Sequence, residues 1–205
     1  MPVMCEIPPG EYWVGAGEDD KFTASCEGLR RRVVLERPFW LAAFPVTERD
    51  LGGDSLLPAV HLSWHDAVGH CLAMSQRTGA SWRLPTGVEW EIACRAGCPA
   101  PFWCGHSIGT GQANYLHDES GRRVGPGCRT LPGSYQPNAF GLEDMAGNVL
   151  EWCSNAWRPG SALREVRGGA WDLLPRLLRS SWRDGLPPDT RQDNLGFRLA
   201  CDTPP

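Results

Sequence analysis

Several features are missing from this sequence, and the first is any long apolar run. The longest, Pro38–Val46, has nine residues, whereas a helix that crosses a bilayer needs about 20. The N-terminus has neither the basic start nor the apolar stretch of a secretory signal, so we expect a cytoplasmic protein. A basic excess is also missing: 20 Lys and Arg against 24 Asp and Glu give a formal charge of −4, which argues against a nucleic-acid partner.

Closely paired cysteines are missing as well. The nine cysteines are odd in number and contain no Cys-x-x-Cys pair, which argues against a zinc ribbon or a thioredoxin-type site. A metal site built from Cys94, Cys98, Cys104 and His106 stays open as an alternative, although metal ligands usually have tighter, paired spacings. Without an export signal, the expected state is reduced thiols that are buried as small apolar side chains.

Glycine, proline and tryptophan are abundant. The 24 Gly and 18 Pro are spread along all 205 residues, so the chain is interrupted too often for long helices and is expected to be rich in turns and short strands. The ten Trp supply large buried rings for an irregular core. Because no repeat or linker divides the chain and its length suits one compact unit, we predict a single domain over residues 1–205.

Two segments carry helix signals. Ser63 is a good N-cap for a stretch with apolar residues at helical spacing, and that stretch ends at Gly79. A Thr-x-x-Glu capping box at Thr86 predicts a second helix that Gly97 closes. No helix is predicted after it. The alternating stretch Val33–Leu41 predicts a strand.

A set of motifs in fixed order along the chain carries a family resemblance. They are Ile7–Gly15 (IPPGEYWVG), Val60–Ala67 (VHLSWHDA), Trp82–Glu91 (WRLPTGVEWE), Asn138–Trp152 (NAFGLEDMAGNVLEW), Val166–Trp171 (VRGGAW) and Gly196–Arg198 (GFR). This order resembles the formylglycine-generating enzyme, or sulfatase-modifying factor, family. The resemblance implies an α+β protein with a C-type-lectin-like fold, which has two helices, small twisted antiparallel sheets and much ordered loop.

The resemblance also implies where the catalytic residues would lie. Enzymes of this family use copper held by two cysteines, five residues apart, just after the Gly-Gly-x-aromatic motif, to oxidise a substrate cysteine. Leu173 and Leu178 stand at those positions here. Leucine forms no thiolate and binds no copper, so we expect no enzymatic activity of this type and no required cofactor. Two alternatives stay open: an oxidoreductase that uses another thiol, Cys104 or Cys153, and a pseudoenzyme that serves as an assembly module.

The C-terminal segment, residues 167–200, resembles the variable proteins of diversity-generating retroelements, which display a diversified surface on this fold. Lys, Glu and Met are absent from residues 171–195, as the rewriting of adenines in Asn codons would produce, although Trp182 and Gln192 do not fit that origin. The resemblance implies a non-catalytic protein that binds a protein or other macromolecular ligand and does not insert into membranes. The candidate ligand-binding residues are Asp172, Leu173, Leu174, Arg176, Leu177, Trp182, Asp184, Gly185, Leu186, Gln192, Asp193 and Asn194.

We expect the segment to separate into a scaffold and an outward-facing surface. The predicted scaffold residues are Trp171, Arg179, Arg183, Arg191, Phe197 and Arg198. The leucines between them lie among turn residues without a strand or helix period, so together with Trp182 they predict an exposed apolar patch of the kind that marks an interaction site. The alternative is that these leucines belong to the core, where most leucine is found.

Away from the copper site that Leu173 and Leu178 remove, the resemblance suggests calcium. Family members can hold it at the loop whose matching residues here are Asp144, Gly147, Val149 and Glu151. Two carboxylates and two backbone carbonyls are the hard oxygen ligands that calcium prefers. The alternative is that Asn148 and Glu151 stabilise the turn by hydrogen bonds without a metal.

Overall fold

The structure is a computed structural model that describes residues 1–18 and 20–204. Its regular elements, in chain order, are β1 (Met4–Ile7), β2 (Gly10–Val14), β3 (Arg31–Leu35), β4 (Phe39–Ala42), α1 (Trp64–Thr78), β5 (Trp82–Arg83), α2 (Gly87–Arg95), β6 (Leu150–Ala156), β7 (Arg164–Arg167), β8 (Asp184–Leu186), β9 (Leu195–Gly196) and β10 (Ala200–Cys201). Two short 3-10 turns lie at Arg49–Leu51 and Pro175–Leu177.

Both helices form where the sequence predicts them. Ser63 and Thr86 are the N-caps, and each side chain accepts a hydrogen bond from a backbone N–H in the first turn within a complete capping box. Gly79 ends α1 in the left-handed conformation, with φ of 77°. The end of α2 differs from the prediction, because Ala96 rather than Gly97 takes the left-handed capping position.

The strands form three small sheets. Their orders are β1-β4-β10-β5, β2-β3 and β8-β7-β6-β9. The pairings between these strands are antiparallel apart from β6 and β9, which run parallel. With two helices and a long ordered loop region between α2 and β6, this is the predicted α+β architecture.

The single strand predicted over Val33–Leu41 is instead two strands in different sheets. β3 pairs with β2, whereas β4 pairs with β1 and β10. Pro38 lies at the break and has no N–H to donate, so the ladder stops before it and the chain crosses to the next sheet.

The core packs against both helices and all three sheets, and the C-terminal segment is part of it. The main cluster contains Trp152, Leu195 and Phe197 together with α1 residues such as Met74. A second cluster surrounds Trp90 of α2. A third, smaller cluster lies under the loops of residues 102–115. Within the described part of the chain, neither helix is long and apolar enough for a membrane span.

Candidate functional site

Leu173 and Leu178, which the resemblance is expected to place at the positions of the family's thiol pair, lie in one apolar cluster. Leu178 is almost fully buried in the third core cluster, beside Phe102 and Tyr115, and half-buried Leu173 packs against the same cluster. One thiol, that of half-buried Cys104, also packs against this cluster, so the site is mostly apolar and holds a single cysteine rather than a pair.

The thiols elsewhere in the chain are poorly suited to replace that pair. All nine cysteines are unpaired. Burial holds the pKa of Cys153 well above its usual range and also raises the pKa of Cys104, so neither is favoured as a thiolate. The proposed cluster of Cys94, Cys98, Cys104 and His106 does not form a metal site: among residues 1–18 and 20–204, no group of three or more His, Cys, Asp or Glu is arranged to hold a metal ion.

A groove lies beside the third core cluster. Its volume is about 410 Å³. It is formed by the loops around Phe22, residues 102–108 and residues 115–120, and by the 3-10 turn at Pro175–Leu177. Phe102, Ile108, Tyr115 and Pro175 give it apolar walls, and His106, Asp118, Glu119 and Arg176 give it polar ones. A second cavity shares Phe22, Phe102 and His106 with it, so the depression continues toward Arg179.

Arg176 is the predicted binding residue that lines this groove. Its backbone N–H and its guanidinium donate to the Glu119 carboxylate at 2.7 and 2.8 Å, which fixes the 3-10 turn against the opposite loop. The remaining groove residues lie outside the C-terminal segment, and sequence reasoning missed them. Their loops carry no periodic signal, and only an excess of aromatic residues near Phe102 could have drawn attention to them.

Arg179 anchors the C-terminal segment to the loop at residues 20–27. Its side chain is 1% exposed and donates to the carboxylates of Asp20 and Glu27, each at 2.7 Å or less, and to the carbonyls of Phe22 and Arg176. The Glu27 carboxylate also accepts from Ser181 Oγ. One guanidinium therefore holds the loop at residues 20–27 and the segment together, as its predicted scaffold role requires.

Other arginines of the segment have similar scaffold roles. Buried Arg198 forms a two-pronged ion pair with Glu151 and donates to three backbone carbonyls. Half-buried Arg183 pairs with the buried carboxylate of Glu165. The prediction for Arg191 needs correction, because its side chain is 52% exposed and it contacts Asp66 and the carbonyl of His61 from outside.

The twelve predicted binding residues do not all face outward. Exposed side chains are Asp172, Arg176, Asp184 and Asp193; half-buried ones are Leu173, Leu174, Leu177, Gly185, Leu186 and Gln192. Trp182 and Asn194 are buried, so the structure contradicts their prediction as binding residues. Trp182 packs in the main core cluster, and the Asn194 amide donates to the Asp172 carboxylate.

The predicted exposed apolar patch is also wrong. Leu173, Leu177 and Leu186 all pack against the main core cluster, and no large apolar residue of 171–195 is among the exposed ones. The reason is that α1 and the strands of the main core cluster lie directly behind these turns and cover the leucines. The leucines are covered although they follow no helix or strand period. The outward surface of the segment is consequently polar, with four carboxylates (Asp172, Asp184, Asp189 and Asp193) and two guanidinium groups (Arg176 and Arg191).

The loop expected to bind calcium contains one buried carboxylate without a partner. Asp144 has a left-handed backbone, with φ of 55°, and neither of its carboxylate oxygens has a hydrogen-bond partner. Burial raises its pKa to about 7. Glu151 is placed differently: its carboxylate accepts from Arg198 and from Trp90 Nε1 at 2.7 Å. Asp144 thus fits a cation, whereas Glu151 is already neutralised.

The two backbone positions of that loop are built into the core. Gly147 has φ of 78°, and a Cβ there would lie 2.2 Å from the carbonyl oxygen of Asn114, so only glycine fits. Val149 is fully buried. Asn148 fixes the loop further, because its side-chain oxygen accepts from Asn114 Nδ2 and from the N–H of Thr130.

Comparison with known proteins finds one relative by sequence and two neighbours by structure that bear on this site. The inactive Cα-formylglycine-generating enzyme 2 of Mus musculus is 33% identical over 156 residues, which cover 70% of this chain and 49% of that protein. The structure of PvdO from Pseudomonas aeruginosa has a TM-score of 0.87 at 27% identity and covers 98% of this chain and 95% of that one. Treponema denticola variable protein 1 shares the fold, with a TM-score of 0.78 at 20% identity over 98% of this chain and 95% of that one.

The family itself is shown by a match over most of the sequence. The chain spans 29% of the length of one curated relative and 49% of the length of the mouse relative, so it corresponds to part of each of those proteins. The family model described as the sulfatase-modifying factor enzyme 1-like domain matches residues 50–203. This chain belongs to that family.

Proposed function

We propose that the chain is a non-catalytic ligand-binding protein whose C-terminal segment and adjoining groove recognise a protein or other macromolecule. One observation carries the proposal: the two arginines that make the segment's most extensive contacts with other loops are buried, and the exposed side chains make few contacts. Arg179 and Arg198 are buried and bind other loops, whereas Asp172, Asp184 and Asp193 face solvent. A scaffold of this kind tolerates changes at its surface without losing its shape.

The proposal is supported by relatives in two ways. The mouse relative is named an inactive enzyme, so the family includes proteins without the formylglycine-generating activity. A structural neighbour is named a variable protein, which agrees with a segment whose surface residues are free to differ. The net charge of −4 and the acidic outward surface favour a protein partner over a nucleic acid.

The proposal predicts that the chain does not form formylglycine. Leu173 and Leu178 supply no thiolate for copper, so a sulfatase-type cysteine peptide incubated with the protein, copper and oxygen should keep its mass. An active formylglycine-generating enzyme is the positive control. If the peptide shows the mass decrease of cysteine oxidation, the oxidoreductase alternative replaces this proposal.

A pair of display libraries tests the surface directly. The first randomises three exposed positions, Arg176, Asp184 and Asp193, and the second randomises three buried ones, Ser180, Ser181 and Trp182. We expect most members of the first library to melt within a few degrees of the parent, because an exposed substitution usually costs within about 0.5 kcal/mol. Selection on defined protein targets should yield folded binders from it.

The second library is the matched control. Its members lose core packing and buried hydrogen bonds and should mostly fail to fold. Equal folded fractions in the two libraries, or no binders from the first against any target, would contradict the diversified-surface proposal and leave the assembly-module alternative.

We further propose that calcium binds at the Asp144 loop, with Asp144 as the charged ligand and backbone carbonyls of Gly147 and Val149 beside it. The buried carboxylate without a partner supports this, because an uncompensated buried charge is costly and a cation would neutralise it. The bound ion would supply structural stabilisation and no chemistry.

The calcium proposal predicts a difference between two thermal melts. Calcium at 100 times its dissociation constant should stabilise the protein by about 2.7 kcal/mol relative to chelator. Asp144→Asn has almost the same shape but no charge, so it should melt at one temperature in both solutions. Identical wild-type curves in calcium and chelator would leave only the hydrogen-bonded turn, in which Asn148 holds the loop.

A further inference from the structure

Trp157, outside the C-terminal segment, lies against one of that segment's predicted binding positions. It follows β6 directly and is half-buried. The exposed guanidinium of Arg158 covers the indole at 4.0 Å from the ring centroid. The backbone of Gly185 in β8 also contacts the ring: a Cβ at this glycine would lie 2.6 Å from Cγ and 2.7 Å from Cδ2 of Trp157.

Trp157 is the nearest obstacle to a side chain at position 185. Gly185 does not have a left-handed φ, so its backbone conformation is open to any residue. Its three nearest contacts for an added Cβ are all atoms of Trp157. Carbon–carbon contacts of 2.6 to 2.8 Å with Cγ, Cδ2 and Cβ of Trp157 are far below van der Waals separation, so any residue larger than glycine must displace the whole Trp157 side chain, indole included.

The indole is in turn a wall of a surface cleft. The cleft has a volume of about 560 Å³ and lies between the start of α2 and the turn at residues 157–159, with Thr86, Val88, Ala156 and Pro159 among its lining residues. Trp157 Nε1 is buried there without a hydrogen-bond partner. The present pose therefore leaves the indole N–H unsatisfied, which lowers the cost of moving the ring.

We propose that residue 185 is a specificity-determining position that acts through Trp157, and that the turn at residues 157–159 is part of the ligand-binding surface. With glycine, the indole lies against β8; with a larger residue, the indole and Arg158 move outward and reshape the cleft. Tryptophan and arginine are the side chains that most often dominate protein–protein binding energy, so one substitution changes what the surface offers to a protein partner. This inference rests on the proposed function for its biological role.

The experiment detects the displacement itself and needs no ligand. Protein labelled with 5-fluorotryptophan gives a fluorine NMR resonance for each of ten Trp, and Trp157→Phe assigns the one of interest. Gly185→Ala should shift the Trp157 resonance more than any other. The matched control is Gly69→Ala in α1, where an added Cβ meets no atom within 4 Å, and it should leave that resonance in place. An unmoved Trp157 resonance in Gly185→Ala overturns the inference.

A second variant keeps the test decisive if Gly185→Ala folds poorly. Removing the obstacle, Cβ included, with Trp157→Gly should abolish the effect of alanine at 185, so the melting temperatures of Trp157→Gly and the double variant should agree. If alanine at 185 lowers the melting temperature equally in both backgrounds, Trp157 is not the obstacle and the inference fails. Because no binding is measured, failure here is distinct from failure of the proposed function.

Discussion

Replacing Arg179 with methionine is expected to destabilise the protein by about 3–5 kcal/mol, as breaking a buried ion pair from one side does. The carboxylates of Asp20 and Glu27 that this guanidinium contacts are 3% and 0% exposed. Methionine fills much of the same space but leaves two buried negative charges without a cation. The carbonyls of Phe22 and Arg176 lose a donor as well.

Denaturant unfolding measures this loss, and hydrogen exchange locates it. Exchange should accelerate first at residues 20–27 and 176–183, since Arg179 links these two stretches. Arg176→Ala is the control, because its ion pair with Glu119 is partly exposed on both sides and is expected to contribute only about 0.2–1 kcal/mol. Similar losses for the two variants would show that Arg179 is not the anchor of the segment.

The local features of the fold could be predicted from the sequence because their causes are local. The capping residues Ser63 and Thr86 act on backbone groups within the first turn of each helix, and the spacing of apolar residues marks the buried face. Pro38 is an exception. The alternation on both sides of it predicts one continuous strand, and that prediction is wrong because the missing N–H of Pro38 ends the ladder.

Burial in the C-terminal segment could not be predicted in the same way. Trp182 and Asn194 lie among turn residues, yet one packs in the main core and the other bonds to Asp172. The partners of Arg179 are 152 and 159 residues away in the chain, and the groove is built from loops around Phe22 and Tyr115. No pattern within the segment encodes contacts at such separations, so only the folded chain shows which side chains are covered.

Phe197→Ala is the second substitution with a large expected effect, about 3–5 kcal/mol, which is typical of truncating a buried aromatic side chain. Phe197 is 1% exposed in the main core cluster, its ring meets that of His70 edge-on at 5.7 Å, and its carbonyl accepts from the N–H of Val46. The loss of stability has two causes. Less apolar area is buried, and the surrounding sheets cannot move enough to close the cavity that is left.

The expected loss for Phe197→Ala is best compared with that for Trp171→Ala. The sequence predicts the same scaffold role for both rings, but Trp171 is only half-buried and its Nε1 has no partner, so Trp171→Ala should cost clearly less than Phe197→Ala. Leu131→Ala, at a side chain that is 50% exposed, should stay within about 0.5 kcal/mol. Urea unfolding of the three variants should give this order of losses. If Trp171→Ala is more destabilising than Phe197→Ala, the Gly-Gly-Ala-Trp motif contributes more to holding the segment than Phe197 does. The scaffold assignment would then be wrong for Phe197.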